Sequence, residues 1–134
     1  MKTVLTFGVY DMLHIGHILL FKRAKELGER LVVEVQDGEC ILKYKPGTQM
    51  VYSTDERLYM VSAIKYVDDV VIYKDVDKDI QKIDFDILVR GEDQQHAGFQ
   101  RAFDWCAQNG KEVVMLTRTE GISSTMLREY SKNK

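Results

Sequence analysis

The chain has 134 residues, 45% of them hydrophobic, and a formal net charge of −2 at pH 7. This length falls within the size range of one domain, so we treat residues 1–134 as a single domain. The mixed charges argue against a nucleic-acid-binding protein or a membrane-surface module. No apolar run approaches the ~20 residues that cross a bilayer, and no leader pattern is visible, so we expect a cytoplasmic protein without nucleic-acid or membrane partners. Cys40 and Cys106 form no Cys-x-x-Cys pair, which predicts free thiols.

Short apolar, β-branched runs alternate along the chain with stretches of helical periodicity. The runs are too short and too evenly apolar for half-exposed strands, which is typical of buried parallel strands. The alternation predicts an α/β fold, a Rossmann-like doubly wound sheet of five parallel strands with helices on both faces. The predicted strands are residues 4–7, 31–35, 70–73, 87–89 and 113–116, and the predicted helices are residues 18–27, 57–64, 76–83, 97–108 and a last one that starts near Ser123 or Ser124.

A turn flanked by glycines joins the first predicted strand to the first predicted helix. His14 and His17 on this turn are three residues apart and so share one face of a helix. They lie at the helix end whose unpaired N–H groups and positive dipole attract anions. The pair is open to three interpretations: a metal pair, a helix cap, or contacts to phosphate. Asp11 adds a carboxylate that can orient an imidazole or hold a magnesium ion.

A long irregular segment, residues 37–52, is predicted after the second strand. Irregular segments of this length inside a compact domain more often have a function than serve only as connections. Lys43 and Lys45 lie on it, and together with Arg57 they could close over a triphosphate, although each alone fits an ordinary solvated charge. Ser53-Thr54-Asp55-Glu56 fits a capping box at the start of the next helix.

Polar segments follow four of the predicted strands. In an open parallel sheet, ligands bind outside the carboxyl ends of the strands, near the point where the strand order reverses. The last of these segments places Arg118 before Gly121 and the hydroxyl run Ser123-Ser124-Thr125. A guanidinium beside free N–H groups and hydroxyls suits a polyphosphate, although the hydroxyls alone also fit a helix cap. The four segments are residues 8–17, 37–45, 90–93 and 118–125.

Two of these segments resemble the motifs of a known family. Gly8-Val9-Tyr10-Asp11 with His14-Ile15-Gly16-His17, joined to Arg118-Thr119-Glu120-Gly121-Ile122-Ser123-Ser124-Thr125, is similar to the cytidylyltransferase branch of the HxGH nucleotidyltransferases. The resemblance is strongest to the bacterial glycerol-3-phosphate cytidylyltransferases, and it covers nearly the whole chain. The HxGH motif is shared with adenylyltransferases, whereas the second motif is more specific to cytidylyltransferases.

The resemblance implies an enzyme that transfers CMP from CTP to a small phosphorylated alcohol, first of all glycerol 3-phosphate, and releases pyrophosphate. It also implies Mg²⁺ as a cofactor and a homodimer. His14, His17, Lys43 and Arg118 would be catalytic, and the metal would be held by the CTP phosphates, with Asp11 as a candidate ligand. The residues implied to bind the nucleotide are Phe7, Gly8, Val9, Tyr10, Asp11, Gly16, Lys45, Arg57, Gly91, Asp93, Arg118, Thr119, Gly121, Ile122, Ser123, Ser124 and Thr125.

The segments expected to border the acceptor depart from the pattern of the glycerol-phosphate enzymes. The chain carries Gln36-Asp37-Gly38-Glu39 after the second predicted strand and Gly91-Glu92-Asp93-Gln94 after the fourth. The loop that carries Lys43 and Lys45 is a few residues longer, so either lysine can match the phosphate contact. Three alternatives stay open: a cytidylyltransferase for another small phosphorylated acceptor of surface-polymer synthesis, an adenylyltransferase for a sugar or vitamin phosphate, and a non-catalytic nucleotide sensor.

Overall fold

The computed structural model describes residues 1–91 and 97–117, apart from the side chain of Tyr44. Several predicted features lie outside these residues. They are the helix expected near Ser123 and the site residues Asp93, Arg118, Thr119, Gly121, Ile122, Ser123, Ser124 and Thr125.

A parallel sheet forms the centre of the described part. Its strands lie in the order β3-β2-β1-β4-β5, and every neighbouring pair is parallel. The chain builds outward from β1 on one side and then returns to β4 on the other, so the strand order reverses between β1 and β4. The predicted α/β fold class is confirmed. The strands are β1 (Thr3–Gly8), β2 (Arg30–Gln36), β3 (Asp69–Tyr73), β4 (Ile87–Arg90) and β5 (Glu112–Met115).

Helices connect the strands and cover both faces. The predicted bounds of the helix at residues 97–108 are confirmed, whereas the first helix starts three residues earlier than predicted because His14 caps it. The prediction of an irregular chain throughout residues 37–52 is wrong, since Asp37 caps a short helix there. The helices are α1 (Ile15–Lys25), α2 (Gly38–Tyr44), α3 (Thr54–Ser62), α4 (Val76–Asp79), which continues into a 3-10 turn (Ile80–Lys82), and α5 (Ala97–Gln108).

Apolar side chains alternate between the two faces of the sheet and form a core on each. Leu5 and Phe7 of β1 pack with Phe103 of α5 on one face. Val4 of β1 packs with Phe21 of α1 on the other, where Val61 of α3 joins them. Both cores therefore hold the carboxyl ends of the strands in fixed positions.

Both thiols are free: Cys106 is buried and Cys40 is half-buried. None of the helices in residues 1–91 and 97–117 combines the length and apolar character that a bilayer span requires.

Candidate active site

His14 and His17 cap the start of α1 reciprocally. The Nδ1 atom of His14 accepts a hydrogen bond from the backbone N–H of Gly16 at 3.0 Å, and Nδ1 of His17 accepts one from the backbone N–H of His14 at 3.1 Å. The two ring centroids are 4.0 Å apart. Because both Nδ1 atoms act as acceptors, each neutral ring carries its hydrogen on Nε2. The cap interpretation is confirmed.

The charges along α1 favour an anion at this end. Its first turn contains no acidic residue, whereas Lys22, Arg23 and Lys25 lie in its last turn. The positive end of the helix dipole is therefore not neutralised by a carboxylate within the helix itself. This end lies directly after β1, next to the point where the strand order reverses. The position suits a phosphate group.

A strained turn precedes the histidines. Tyr10 and Met12, on either side of Asp11, both have a φ angle of 56°, in the left-handed region that non-glycine residues seldom adopt. The buried ring of Tyr10 packs edge-on against His17, with centroids 5.5 Å apart. Gly8 makes room for that ring, because a Cβ atom there would lie 2.8 Å from Cζ of Tyr10. The Tyr10 ring thus helps to orient His17.

Asp11 binds backbone groups of a distant segment. Its Oδ2 accepts the N–H of Val51 and its Oδ1 accepts the N–H of Tyr52, each at 2.9 Å. Within residues 1–91 and 97–117, no group of three or more His, Cys, Asp or Glu side chains is arranged to hold a metal ion. Through these two hydrogen bonds Asp11 links the turn after β1 to the residues before α3.

Arg57 lies in the interior, with 0% of its surface exposed. Its Nη1 donates to the carbonyl oxygens of Val9 at 2.9 Å and Gln36 at 2.7 Å, and its Nη2 donates to Oγ1 of Thr54 at 3.1 Å. Burial lowers the pKa of the guanidinium, and the carboxylates of Asp11 and Asp37 oppose that shift. Arg57 thus joins the ends of β1 and β2 to α3, which supports a positioning role rather than direct contact with phosphate.

Phe7, another residue implied to bind the nucleotide, is also internal. Its ring stacks on Phe99 with centroids 5.2 Å apart and meets Tyr73 edge-on at 6.0 Å. The side chain is buried in the core, so it is not exposed for contact with a nucleotide.

Two exposed lysines lie in the segment after β2. Lys43 is in the last turn of α2 and Lys45 is its C-cap, and both residues are exposed. The carbonyl of Lys45 accepts hydrogen bonds from the backbone N–H and the hydroxyl of Thr48. Gly91 lies directly after β4 and is half-buried.

The carboxyl end of β5 is tied to two elements. The N–H of Leu116 donates to the carbonyl of Arg90 at 3.0 Å, and Nη1 of Arg23 donates to the carbonyl of Thr117 at 3.0 Å. Arg90 lies in the predicted polar segment 90–93, although no role was predicted for it. Arg23 was not predicted as a site residue, because nothing in the local sequence pairs it with Thr117.

Nearly the whole chain, residues 5–130, matches the family model described as cytidylyltransferase-like. The chain belongs to this family. It is 38% identical to the glycerol-3-phosphate cytidylyltransferase of Staphylococcus aureus (strain NCTC 8325 / PS 47), over 99% of this chain and 98% of that protein. It is 39% identical to the enzyme of the same name from Bacillus subtilis (strain 168), over 96% of each. The family resemblance predicted from the two motifs is confirmed.

A solved structure shares the fold of this chain. The lipopolysaccharide core biosynthesis protein from Thermoplasma volcanium GSS1 superposes with a TM-score of 0.71 at 28% sequence identity. The match covers 89% of this chain and 97% of that one.

Proposed function

We propose that the protein transfers CMP from CTP to glycerol 3-phosphate, giving CDP-glycerol and pyrophosphate. The observation that carries this proposal is the His14–His17 pair, which caps the N-terminus of α1 beside the strand-order reversal. The near full-length similarity to two enzymes named glycerol-3-phosphate cytidylyltransferase supports the choice of substrates.

The reaction requires the protein to align its two substrates and not to form a covalent bond with either of them. A phosphate oxygen of glycerol 3-phosphate attacks the α-phosphorus of CTP, the new P–O bond forms, and the bond to pyrophosphate breaks. Because a phosphate monoester is already a nucleophile at neutral pH, no covalent intermediate on the protein is needed. The protein must hold two anions in line and stabilise the charge that builds up in the transition state.

Apart from Phe7 and Arg57, whose side chains are buried, each residue predicted for the site has a direct role in this scheme. His14 and His17 donate to the triphosphate and to the charge that develops at the α-phosphorus, while Lys43 and Lys45 bind the phosphates from the exposed side of α2. The backbone of residues 8–11 and Gly16 lies along the nucleotide. Asp93 and Gly91 border the ribose or cytosine, and the β- and γ-phosphates are bound by Arg118, Thr119, Gly121, Ile122, Ser123, Ser124 and Thr125.

We propose that Mg²⁺ binds to the protein together with CTP, held by the phosphates of the nucleotide. Both oxygens of Asp11 accept backbone N–H groups, so the donor set around α1 favours phosphate oxygens as the metal's ligands. The ion would supply positive charge that offsets the triphosphate and the leaving pyrophosphate.

A homodimer is proposed as the working assembly. Two observations support it: β3 forms one edge of the sheet, and apolar side chains are exposed there and on the adjacent α3. Ile72 of β3 exposes 47% of its surface and Tyr59 of α3 exposes 77%. Light scattering of the wild-type chain and of the Tyr59→Lys variant would test this assembly, and a monomeric wild-type chain would contradict it.

Pyrophosphate release with CTP and Mg²⁺ tests the proposed reaction. We expect release with glycerol 3-phosphate and formation of CDP-glycerol, with little release when ATP replaces CTP. Release of pyrophosphate with ATP but not with CTP would favour an adenylyltransferase. Binding of CTP without release for any phosphorylated acceptor would instead favour a nucleotide sensor, and either result contradicts the proposal.

A different acceptor is the second candidate. Arg90, at the carboxyl end of β4, stacks over the ring of Phe103 at 4.1 Å and so brings a guanidinium to the edge where the acceptor is expected. The Thermoplasma relative is described as a lipopolysaccharide core biosynthesis protein. These observations favour another small phosphorylated acceptor of surface-polymer synthesis, which a panel of phosphorylated alcohols and amides with CTP would identify.

A further inference from the structure

The segment that carries Lys43 and Lys45 is attached to the rest of the protein at both ends. At its first end, the N–H of Gly38 donates to Oγ1 of Thr54 at 2.9 Å, and Arg57 donates to the carbonyl of Gln36 at 2.7 Å. At its far end, Asp11 accepts the N–H groups of Val51 and Tyr52. Between these ends the contacts are local: Thr48 donates to the carbonyl of Lys45, and the N–H of Lys45 donates to the carbonyl of Ile41.

One side chain makes both hydrogen bonds at the far end. Asp11 uses both of its oxygens there, and it comes from the turn after β1, forty residues away along the chain. The residues on either side of Asp11 both adopt left-handed φ angles of 56°. Such conformations persist only where the surrounding structure imposes them. Here they give Asp11 a defined direction, toward the residues that lead into α3.

We propose that Asp11 is a positioning residue that fixes the far end of residues 37–52 and thereby sets where Lys43 and Lys45 meet the triphosphate. This rests on the proposed function, because it assumes that CTP binds beside α1. The same turn carries Tyr10, which orients His17, so one strained turn aligns the histidines on one side and the lysine-bearing segment on the other. The inference differs from the two roles that the sequence suggested for Asp11, which were to orient an imidazole or to hold a magnesium ion.

Hydrogen exchange tests the positioning role without reference to activity. Asp11→Ala removes both acceptors, and Asp11→Asn keeps one acceptor oxygen while removing the charge. We expect amide exchange at Val51 and Tyr52 to speed up by about tenfold or more in Asp11→Ala, the equivalent of one hydrogen bond to a charged group, with Asp11→Asn in between. Asp55→Asn is the matched control, since it removes a carboxylate from the same region, in the first turn of α3.

Kinetics separate the positioning role from metal binding. For Asp11→Ala, we expect the KM for CTP to rise about tenfold at saturating Mg²⁺, while the Mg²⁺ concentration for half-maximal rate stays near that of wild type. A higher Mg²⁺ requirement with an unchanged KM for CTP would overturn the inference in favour of a metal ligand. Unchanged exchange at Val51 and Tyr52 would overturn it as well. If the wild-type chain releases no pyrophosphate, the proposed function fails, and the exchange result still decides whether Asp11 holds the segment.

Discussion

The Nη1 atom of Arg23 donates a hydrogen bond to the carbonyl oxygen of Thr117 at 3.0 Å and so links α1 to the residue that precedes Arg118. Side chains on a helix lean toward its N-terminus, which lets an arginine in the last turn of α1 reach back toward the carboxyl edge of the sheet. Phe21 of α1 and Leu116 pack in the same core, so the two elements are already adjacent. Arg23 therefore supports the start of a segment proposed to bind the β- and γ-phosphates.

Loss of the hydrogen bond from Arg23 to Thr117 should weaken CTP binding more than it lowers kcat. We expect Arg23→Ala to raise the KM for CTP about three- to tenfold, in line with the net contribution of one exposed hydrogen bond, and Arg23→Lys to restore part of the loss. Lys22→Ala removes an equal charge from the same turn and serves as the control. Steady-state kinetics at saturating acceptor make the comparison. An equal rise in KM for both alanine variants would mean that overall charge, rather than the bond to Thr117, is responsible.

The histidine pair can be tested without loss of the helix cap. Asn is a favourable N-cap residue, and Gln suits the third helical position in a capping box, so His14→Asn and His17→Gln keep the cap while removing the imidazoles. We expect each variant to lose on the order of 10²-fold or more in kcat, as when one preorganised donor is removed from an active site. Thermal unfolding should stay close to that of wild type.

The alanine variants provide the contrast for this prediction. His14→Ala loses the cap as well as the imidazole, so we expect an additional loss of stability of about 1 kcal/mol that His14→Asn does not show. Near-normal turnover in His14→Asn would show that the histidine serves as a cap only.

Local sequence patterns predicted the framework of the fold better than its long-range contacts. The strands and α5 were predicted because their apolar spacing is set within a few residues of chain. Helix α2 was missed because seven residues show little periodicity, although Asp37 was a usable cap signal. The patterns placed Asp11 and Arg57 near the site, but their partners lie tens of residues away, and no local spacing encodes them.

A buried carboxyl on β2 should make stability depend on pH. Glu34 is fully buried between Phe7 of β1 and Val71 of β3, and neither of its oxygens is hydrogen-bonded within the described residues. Burial, with a smaller effect from the charge of Asp79, raises the pKa of Glu34 from 4.5 to about 8. Between these pH values the unfolded chain releases a proton that the folded chain keeps, so the free energy of unfolding should fall as pH rises toward 8.

Replacement of Glu34 by an apolar residue should remove this dependence. We expect Glu34→Leu to be more stable than wild type by about 1 to 4 kcal/mol at pH 8.5, where wild type holds a buried charge, and to show a smaller gain at pH 4.5. Urea unfolding at several pH values measures the difference. Glu112→Leu makes the same substitution at an exposed strand position and should leave the slope with pH unchanged. If the free energy of unfolding changed with pH by the same amount in Glu34→Leu and in wild type, the prediction would be wrong.

The contact between Gly8 and Tyr10 gives the most direct test of how the turn after β1 orients His17. A methyl group at Gly8 would lie 2.8 Å from Cζ of Tyr10, so Gly8→Ala must displace the ring that packs against His17. We expect a loss of about 1 to 3 kcal/mol in stability, as for overpacking elsewhere in protein cores, together with a lower kcat. In the Tyr10→Ala background the ring is gone, so the added methyl group should change stability and kcat far less. A double-mutant cycle measures this coupling, and strictly additive effects would show that Gly8 acts through the backbone rather than through Tyr10.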